Sequence, residues 1–264
     1  MLRFAANIST MFTELPFRAR FAAARMAGFP AVEFQFAYDH EPGELAAELQ
    51  VNGLTQVLLN TPPGDFEAGE RGLAALPGRE LAFETAMEKA FAYADALGCT
   101  MIHVMAGIPD VSVDPDRAMR TFVSNLQQAA AEAKRHGVTL LIEPINRRDV
   151  PGYFLSRNET ARRVIETVAA DNLGLQFDVY HRQIVQGDLV HGLREDFDII
   201  RHIQIANPPE RTDPGQGEIN FDCIFKEIAA LGYKGWIGCE YTPKGRTLDS
   251  LAWYEPFRPL RKPS

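Results

Sequence analysis

The chain alternates short apolar runs with longer stretches in which apolar residues recur at helical spacing. The short runs are five or six residues long and are bounded by turn-forming residues, a pattern typical of strands buried in a parallel sheet. We predict eight strands from them: FAANI (residues 4–8), AVEFQF (31–36), TQVLLN (55–60), MIHVMA (101–106), TLLIE (139–143), LGLQFD (173–178), HIQIA (202–206) and WIGCE (236–240).

The stretches between these runs predict helices. Several end in a glycine just past the last apolar position, which is a helix C-terminal signal: Gly28, Gly53, Gly98, Gly137 and Gly232. Strands that each precede a helix predict a (β/α)8 barrel, and 264 residues suit one such domain spanning 1–264. The alternative is an open doubly wound sheet, but NISTMF rather than a glycine-rich nucleotide turn follows the first strand.

Four predicted strands in succession carry an oxygen-bearing side chain near their carboxyl end, and these ends meet at one rim of a parallel barrel. Any one of these groups could cap the next helix or pair with an arginine. Three carboxylates together, however, raise each other's proton affinity unless a cation compensates them. An all-oxygen set suits Mg²⁺ or Mn²⁺ better than Zn²⁺. We therefore predict a divalent metal site, and an enzyme, at Glu143, Asp178, Gln204 and Glu240.

Two of these carboxylates are also placed for proton transfer. A metal that chelates a hydroxyketone polarises the carbonyl and acidifies the adjacent C–H, which leads to an enediolate. One glutamate removes that proton and another carboxylate returns a proton to the neighbouring carbon. Glu143 and Glu240 lie on different strands and are predicted to carry this step, while Asp178 and Gln204 act as ligands.

Two loops are longer than usual for a compact barrel, residues 60–80 and 207–220. Both follow the carboxyl ends of predicted strands, where long loops are commonly functional. Arg71 lies in the first loop and Arg211 in the second, and either guanidinium could pair with a substrate carboxylate. The alternative for each is a solvated surface arginine.

Three further residues are candidates for the site. His181 follows Asp178 in DVYH and is expected at the same rim, either on substrate oxygens or in solvent. His103 in MIHVMAG is either a substrate contact or a core histidine. Glu33 interrupts an apolar strand, so it either faces the barrel interior beside the site or pairs with a neighbouring cation.

Charge and composition limit the partners. The net charge is −8 and the pI about 5.3, which argues against a nucleic-acid partner but leaves a small anionic substrate open. Neither a signal peptide nor an apolar stretch of membrane-spanning length is visible, and the cysteines show no CxxC pairing. We expect a cytoplasmic protein with free thiols and no membrane partner. The oligomeric state is open, and a homo-oligomer is compatible with the sequence.

Motifs along the whole chain resemble those of the hydroxypyruvate isomerase family of xylose-isomerase-like TIM barrels. They occur in the family's order: AANIS, AVEFQF, NTPPGD, AGERGLAALPGRE, LIEPIN, FDVYH, HIQIA, GEIN and WIGCEY. The resemblance implies a metal-assisted aldose–ketose isomerase of carbohydrate and glyoxylate metabolism that converts hydroxypyruvate to tartronate semialdehyde. It also implies Glu143 and Glu240 as proton-transferring groups, and the metal ligands proposed above.

Related branches remain as alternatives. A sister branch of the family isomerises four-carbon 2-oxo-tetronates, and HVMAG and NTPPGD look closer to that branch. Ketose 3-epimerases of the superfamily resemble the chain less, because they place a histidine where Gln204 stands. Endonuclease members need more histidine ligands than a chain with six histidines and an acidic balance is expected to supply. Hydride transfer is the mechanistic alternative to the enediolate.

Overall fold

Eight parallel strands close into a barrel in which each strand pairs with its neighbours in chain order. The computed structural model describes residues 2–258. β8 pairs with β1 in parallel, which closes the sheet, so the predicted (β/α)8 barrel is confirmed. The strands are β1 Arg3–Asn7, β2 Ala31–Phe34, β3 Thr55–Asn60, β4 Met101–His103, β5 Thr139–Ile142, β6 Leu173–Asp178, β7 Ile200–Ile205 and β8 Trp236–Cys239.

Helices form the outer layer. They are α1 Ala19–Met26, α2 Pro42–Asn52, α3 Glu80–Leu97, α4 Pro115–Ala133, α5 Asn158–Val168, α6 Val179–Val185, α7 Leu189–Asp196 and α8 Phe221–Ala230, followed by 3-10 turns at Thr247–Ser250 and Ala252–Phe257. Gly53 and Gly98 end α2 and α3 in the left-handed conformation, at φ 59° and 61°, as predicted from their positions. No helix in the described range is long and apolar enough to cross a membrane.

The predicted elements differ from the observed ones in two ways. β3 and β6 have the predicted bounds, whereas the other strand ends shift by one to three residues. β4 shortens most and ends at His103, because its pairing with β3 stops there and the chain leaves the ladder. Two helices, α6 and α7, lie between β6 and β7 where one helix per strand is predicted, and α6 starts directly after β6 because Asp178 both ends the strand and caps the helix.

The barrel interior is polar beneath its carboxyl-end rim. A small apolar cluster at Ala5, Ala31, Val57, Leu58 and Leu141 is separate from the main core between strands and helices. Nearer the rim, the strands carry buried amide, carboxylate and imidazole side chains instead of aliphatic ones: Asn7, Glu33, Gln176, His202 and Gln204. Buried polar groups need hydrogen-bond partners, so these side chains form a directional network on which the site rests.

Candidate active site

The four strand-end residues lie at the carboxyl-end rim. Asp178 closes β6 and Gln204 lies one residue before the end of β7, while Glu143 and Glu240 are the first residues beyond β5 and β8. All four are buried. The barrel therefore directs three carboxylates and one amide toward the same end of the sheet.

A cavity of about 180 Å³ opens at this rim. Both long loops contribute to it, since residues 60–80 supply Asn60, Phe66 and Arg71, and residues 207–220 supply Arg211. Six predicted site residues line it together: Arg71, His103, Glu143, His181, Arg211 and Glu240. Asp178 and Gln204 do not line it, and apolar walls come from Phe36, Met105, Ile145 and Val150.

Glu143, Asp178 and His181 form a group in which one ligand atom from each lies within 4.8 Å of the others. Glu143 Oε1 and Asp178 Oδ2 accept no hydrogen bond from any residue in 2–258, although both atoms are buried. Burial, followed by the charges of Asp178 and Glu240, raises the pKa of Glu143 well above its usual value. Buried carboxylate oxygens without donors call for a compensating cation, so this group fits a divalent metal.

Glu240 is surrounded by donors instead. Its Oε2 accepts from Asn7 Nδ2 at 3.0 Å and Gln204 Nε2 at 2.6 Å, and its Oε1 from Gln35 Nε2 at 2.9 Å and Arg211 Nη2 at 2.6 Å. Burial raises the pKa of Glu240 to about 7 even though Arg211 lowers it. The two glutamates therefore sit in unlike environments, one open to a cation and one already held by four donors.

The amide of Gln204 has a fixed direction. Its Nε2 donates to Glu33 Oε1 at 2.8 Å and to Glu240, and its Oε1 accepts from Gln176 Nε2 at 2.6 Å. To bind a metal, Oε1 of Gln204 would have to lose the hydrogen bond that it accepts from Gln176. Glu33 faces the barrel interior, the first of its two expected placements, and its Oε2 lies 2.7 Å from His202 Nε2.

The two arginines differ in their ion-pair and hydrogen-bond partners. Arg211 bridges Glu240 and Asp178, with Nη2 3.6 Å from Asp178 Oδ2, and its guanidinium lies 5.0 Å from the Tyr180 ring centroid. Arg71 lies over the ring of Phe66 at 3.7 Å, and its Nη1 donates to the backbone oxygens of Phe66 and Glu70. Arg211 thus neutralises the carboxylates, whereas Arg71 sits on the loop that covers the cavity.

Both predicted histidines are buried and lie next to Glu143. His103 Nδ1 is 3.5 Å from Glu143 Oε2, and neither ring nitrogen has a hydrogen-bond partner among the described residues. Burial, reinforced by His181 and His202, lowers the pKa of His103 to about 3, and burial lowers that of His181 to about 4. Both rings are therefore neutral near pH 7.

Several site residues were not identified from the sequence. Asn7 ends β1 and Gln35 follows β2, so both carry the same strand-end polar signal as the four predicted groups. The predicted set, however, comprises only strands five to eight, whereas these two residues lie on or next to the first two strands. Gln176 and His202 lie inside strands, where a lone polar residue does not reveal which face it occupies.

Comparison with known proteins identifies the family to which the chain belongs. Residues 21–257 match the protein family described as xylose isomerase-like TIM barrel. A 2-oxo-tetronate isomerase of Cupriavidus necator is 51% identical over 97% of this chain and 99% of its own length, and a hydroxypyruvate isomerase of Escherichia coli is 43% identical over 98% and 100%. A solved structure reported as an AP endonuclease, family 2, from Brucella melitensis has a TM-score of 0.96 at 45% identity, covering 98% of this chain and 100% of that one.

The fold and the relatives together define a TIM-barrel isomerase, and its polar cavity lies at the carboxyl ends of the strands. The chain belongs to the hydroxypyruvate isomerase family of xylose-isomerase-like TIM barrels. The predicted family and enzyme class are thereby confirmed.

Proposed function

We propose that the protein is a metal-assisted isomerase that moves a carbonyl between C2 and C3 of a short 2-oxo-3-hydroxy acid. The observation that carries the proposal is the pair of buried glutamates in unlike environments beside the open oxygens of Glu143 and Asp178. The reaction needs two proton-transfer groups and a cation near the carbonyl; the two buried glutamates would serve as the groups, and the open carboxylate oxygens support a cation site beside them.

The metal is proposed to be Mg²⁺ or Mn²⁺. Glu143 and Asp178 would hold it with their unpartnered oxygens, joined by Glu240 and Gln204 once these exchange present hydrogen bonds for the ion. The bound cation supplies polarisation of the substrate carbonyl, which acidifies the neighbouring C–H. The oxygen-only set is the reason to favour a hard cation.

Proton transfer is assigned to the two glutamates. One takes the proton from C3 of the substrate, the electron pair moves into the C2–C3 bond, and the C2 oxygen becomes the enediolate oxygen. The other returns a proton to C2, and the proton of the C3 hydroxyl passes to the C2 oxygen, so that C3 becomes the new carbonyl and C2 carries the new hydroxyl. For hydroxypyruvate the product is tartronate semialdehyde.

Arg71 is the proposed partner of the substrate carboxylate. Arg211 is already bonded to Glu240 and lies beside Asp178. Only Nη1 of Arg71 makes hydrogen bonds within residues 2–258, and its acceptors are backbone oxygens of the same loop. The other guanidinium nitrogens, Nε and Nη2, are therefore available to donate to a substrate carboxylate. His103 and His181 border the same cavity and are proposed to contact substrate oxygens.

The substrate has either three or four carbons. The 43% identity to a hydroxypyruvate isomerase supports the three-carbon acid as substrate. The 51% identity to a 2-oxo-tetronate isomerase favours the four-carbon acid. The deciding experiment reconstitutes the purified protein with Mg²⁺ or Mn²⁺ and compares kcat/KM for hydroxypyruvate and the 2-oxo-tetronates. Turnover of neither acid would contradict the proposal.

Solvent isotope incorporation tests the proton mechanism. In D2O the enediolate pathway places deuterium on C2 of the product, because the returning proton exchanges with solvent. Hydride transfer carries the original hydrogen across and leaves C2 unlabelled. Any deuterium at C2 after a single turnover therefore supports the enediolate pathway, because hydride transfer introduces none.

Nucleic-acid cleavage is the function suggested by the name of the Brucella structure. A net charge of −8 disfavours phosphate-backbone binding. We expect no incision of a duplex that contains an abasic site under conditions that support isomerisation.

The three free cysteines accord with the proposed cytoplasmic location, and residues 1–264 are proposed to form one domain.

A further inference from the structure

We propose that Asn146 is a positioning residue that holds His181 in one tautomer, with the ring proton on Nε2. In that form His181 donates a hydrogen bond to a substrate oxygen and does not bind the metal. The inference rests on the proposed isomerase function for the identity of the acceptor, but the tautomer itself is fixed by the hydrogen bonds around Asn146.

The direction of the Asn146 amide is determined by Asp149. Oδ1 of Asn146 accepts from the backbone N–H of Asp149 at 2.8 Å, and Nδ2 donates to Asp149 Oδ2 at 3.1 Å. A half-turn of the amide would bring two donors together and two oxygens together, so both contacts would become repulsive. Asn146 is fully buried, and solvent cannot relieve such a mismatch.

The same Nδ2 fixes the state of the imidazole. It lies 2.7 Å from Nδ1 of His181, and the backbone N–H of Asn146 also points to Nδ1 at 3.5 Å. An amide NH2 group and a backbone N–H can only donate, so Nδ1 must be the acceptor. A neutral imidazole then carries its proton on Nε2.

A second contact holds Asp149 from the other side. Its Oδ2 accepts from the Tyr180 hydroxyl at 2.8 Å, and Tyr180 precedes His181 in the first turn of α6. Tyr180, Asp149, Asn146 and His181 thus form a closed chain that links the loop after β5 to α6. Rotation of the His181 ring would break this chain, so the ring has one orientation.

The protonated nitrogen faces the carboxylate group. Nε2 of His181 is 3.9 Å from Glu143 Oε1 and 3.9 Å from Asp178 Oδ2, which is beyond hydrogen-bond distance from either. An N–H group has no lone pair to offer a metal ion. His181 belongs to the group by proximity, but the carboxylates remain the metal ligands and the ring presents a donor to the cavity.

Long-range ¹H–¹⁵N NMR of histidine-labelled protein tests the tautomer directly. Comparison with the His181→Gln variant assigns the resonances of this ring among the six histidines. We expect an unprotonated Nδ1 and a protonated Nε2, both without metal and with saturating Mg²⁺. A protonated Nδ1, or loss of the Nε2 proton on Mg²⁺ addition, would overturn the inference. This spectrum does not depend on turnover, so its failure is separable from failure of the proposed function.

A substitution provides the second test. Asn146→Asp replaces the donor with an acceptor, so we expect the proton to move to Nδ1, kcat to fall about 10- to 100-fold and Zn²⁺ affinity to rise. Asn172→Asp is the matched control, because Asn172 donates to Ala130 O and Val138 O at the opposite rim. The control should lower Tm but keep the His181 spectrum and kcat. A folded Asn146→Asp protein with the original tautomer and kcat would refute the assignment.

Discussion

His202 and Glu33 form a hydrogen bond of 2.7 Å inside the barrel, where neither side chain is exposed. The other oxygen of Glu33 accepts from Asn7 and Gln204. Both of these amides also donate to Oε2 of Glu240. Glu33 therefore fixes two of the four donors to Glu240 and links the barrel interior to the proposed chemistry.

Replacement of Glu33 should destabilise the fold strongly. Glu33→Ala leaves His202 and two amides without their buried acceptor, and the loss of one partner of a buried pair costs about 3–5 kcal/mol. Urea denaturation should report this drop in the free energy of unfolding. The double variant Glu33→Ala/His202→Ala should lose less than the sum of the single variants, and strict additivity would mean that the two groups do not interact.

Replacement of either glutamate of the proposed acid–base pair should remove turnover and leave the fold intact. We expect Glu143→Gln and Glu240→Gln each to lower kcat about 10²- to 10⁴-fold, the usual contribution of a positioned proton-transfer group. Circular dichroism and Tm check the fold. Glu132→Gln, on the exposed side of α4 and paired with Arg135, is the matched control and should keep full activity. Near-normal rates for both site variants would refute the assignment.

Arg71 should control the affinity for acidic substrates. A charge-assisted hydrogen bond contributes about 1.5–3 kcal/mol, so Arg71→Ala should raise KM for hydroxypyruvate or a 2-oxo-tetronate about 10- to 100-fold. Arg71→Lys should recover part of the loss. Dihydroxyacetone, which lacks the carboxylate, serves as the control substrate. An equal effect of Arg71→Ala on both compounds would show that the arginine only supports the loop.

Metal binding should be visible as stabilisation. A ligand present at about 100 times its Kd stabilises the folded state by about 2.7 kcal/mol, so Mg²⁺ or Mn²⁺ should raise Tm of the chelator-treated protein. Chelation should abolish turnover, and either ion should restore it. Asp178→Asn should weaken the metal-induced rise in Tm because it removes one of the two open carboxylates. The same rise in this variant would place the ion elsewhere.

The sequence was sufficient for the barrel because each strand ends in a change of residue type. β3 and β6 were predicted with correct bounds, since a proline-rich turn follows Asn60 and the polar Asp178 ends the apolar run of β6. The positions of Glu143 and Glu240 followed from the same pattern. The start of α6 was not predicted, because Asp178 is at once the last residue of a strand and the cap of the next helix, accepting from the Tyr180 and His181 amides.

The pattern of residues along the chain could not predict which side chains donate and which accept in each hydrogen bond. Gln204 was placed correctly at the rim, but only the contacts with Glu33, Glu240 and Gln176 reveal which atom of its amide faces which neighbour. Asn146 lies in the LIEPIN motif, but its residue type did not indicate a role in the site, because an asparagine in a loop is most often a turn residue. Its role depends on side chains 3 and 35 positions away.

The polar network under the rim gives the barrel two separable parts. Strand residues such as Asn7 and Gln204 hold Glu240, a proposed proton-transfer group, whereas Phe66 and Arg71 reach the cavity from a long loop that makes no hydrogen bond to that network within residues 2–258. New preferences for substrate length can therefore arise by exchange of the loop, with the reaction centre left in place. A transplant of residues 60–80 between three-carbon and four-carbon enzymes is the natural route to interconvert them.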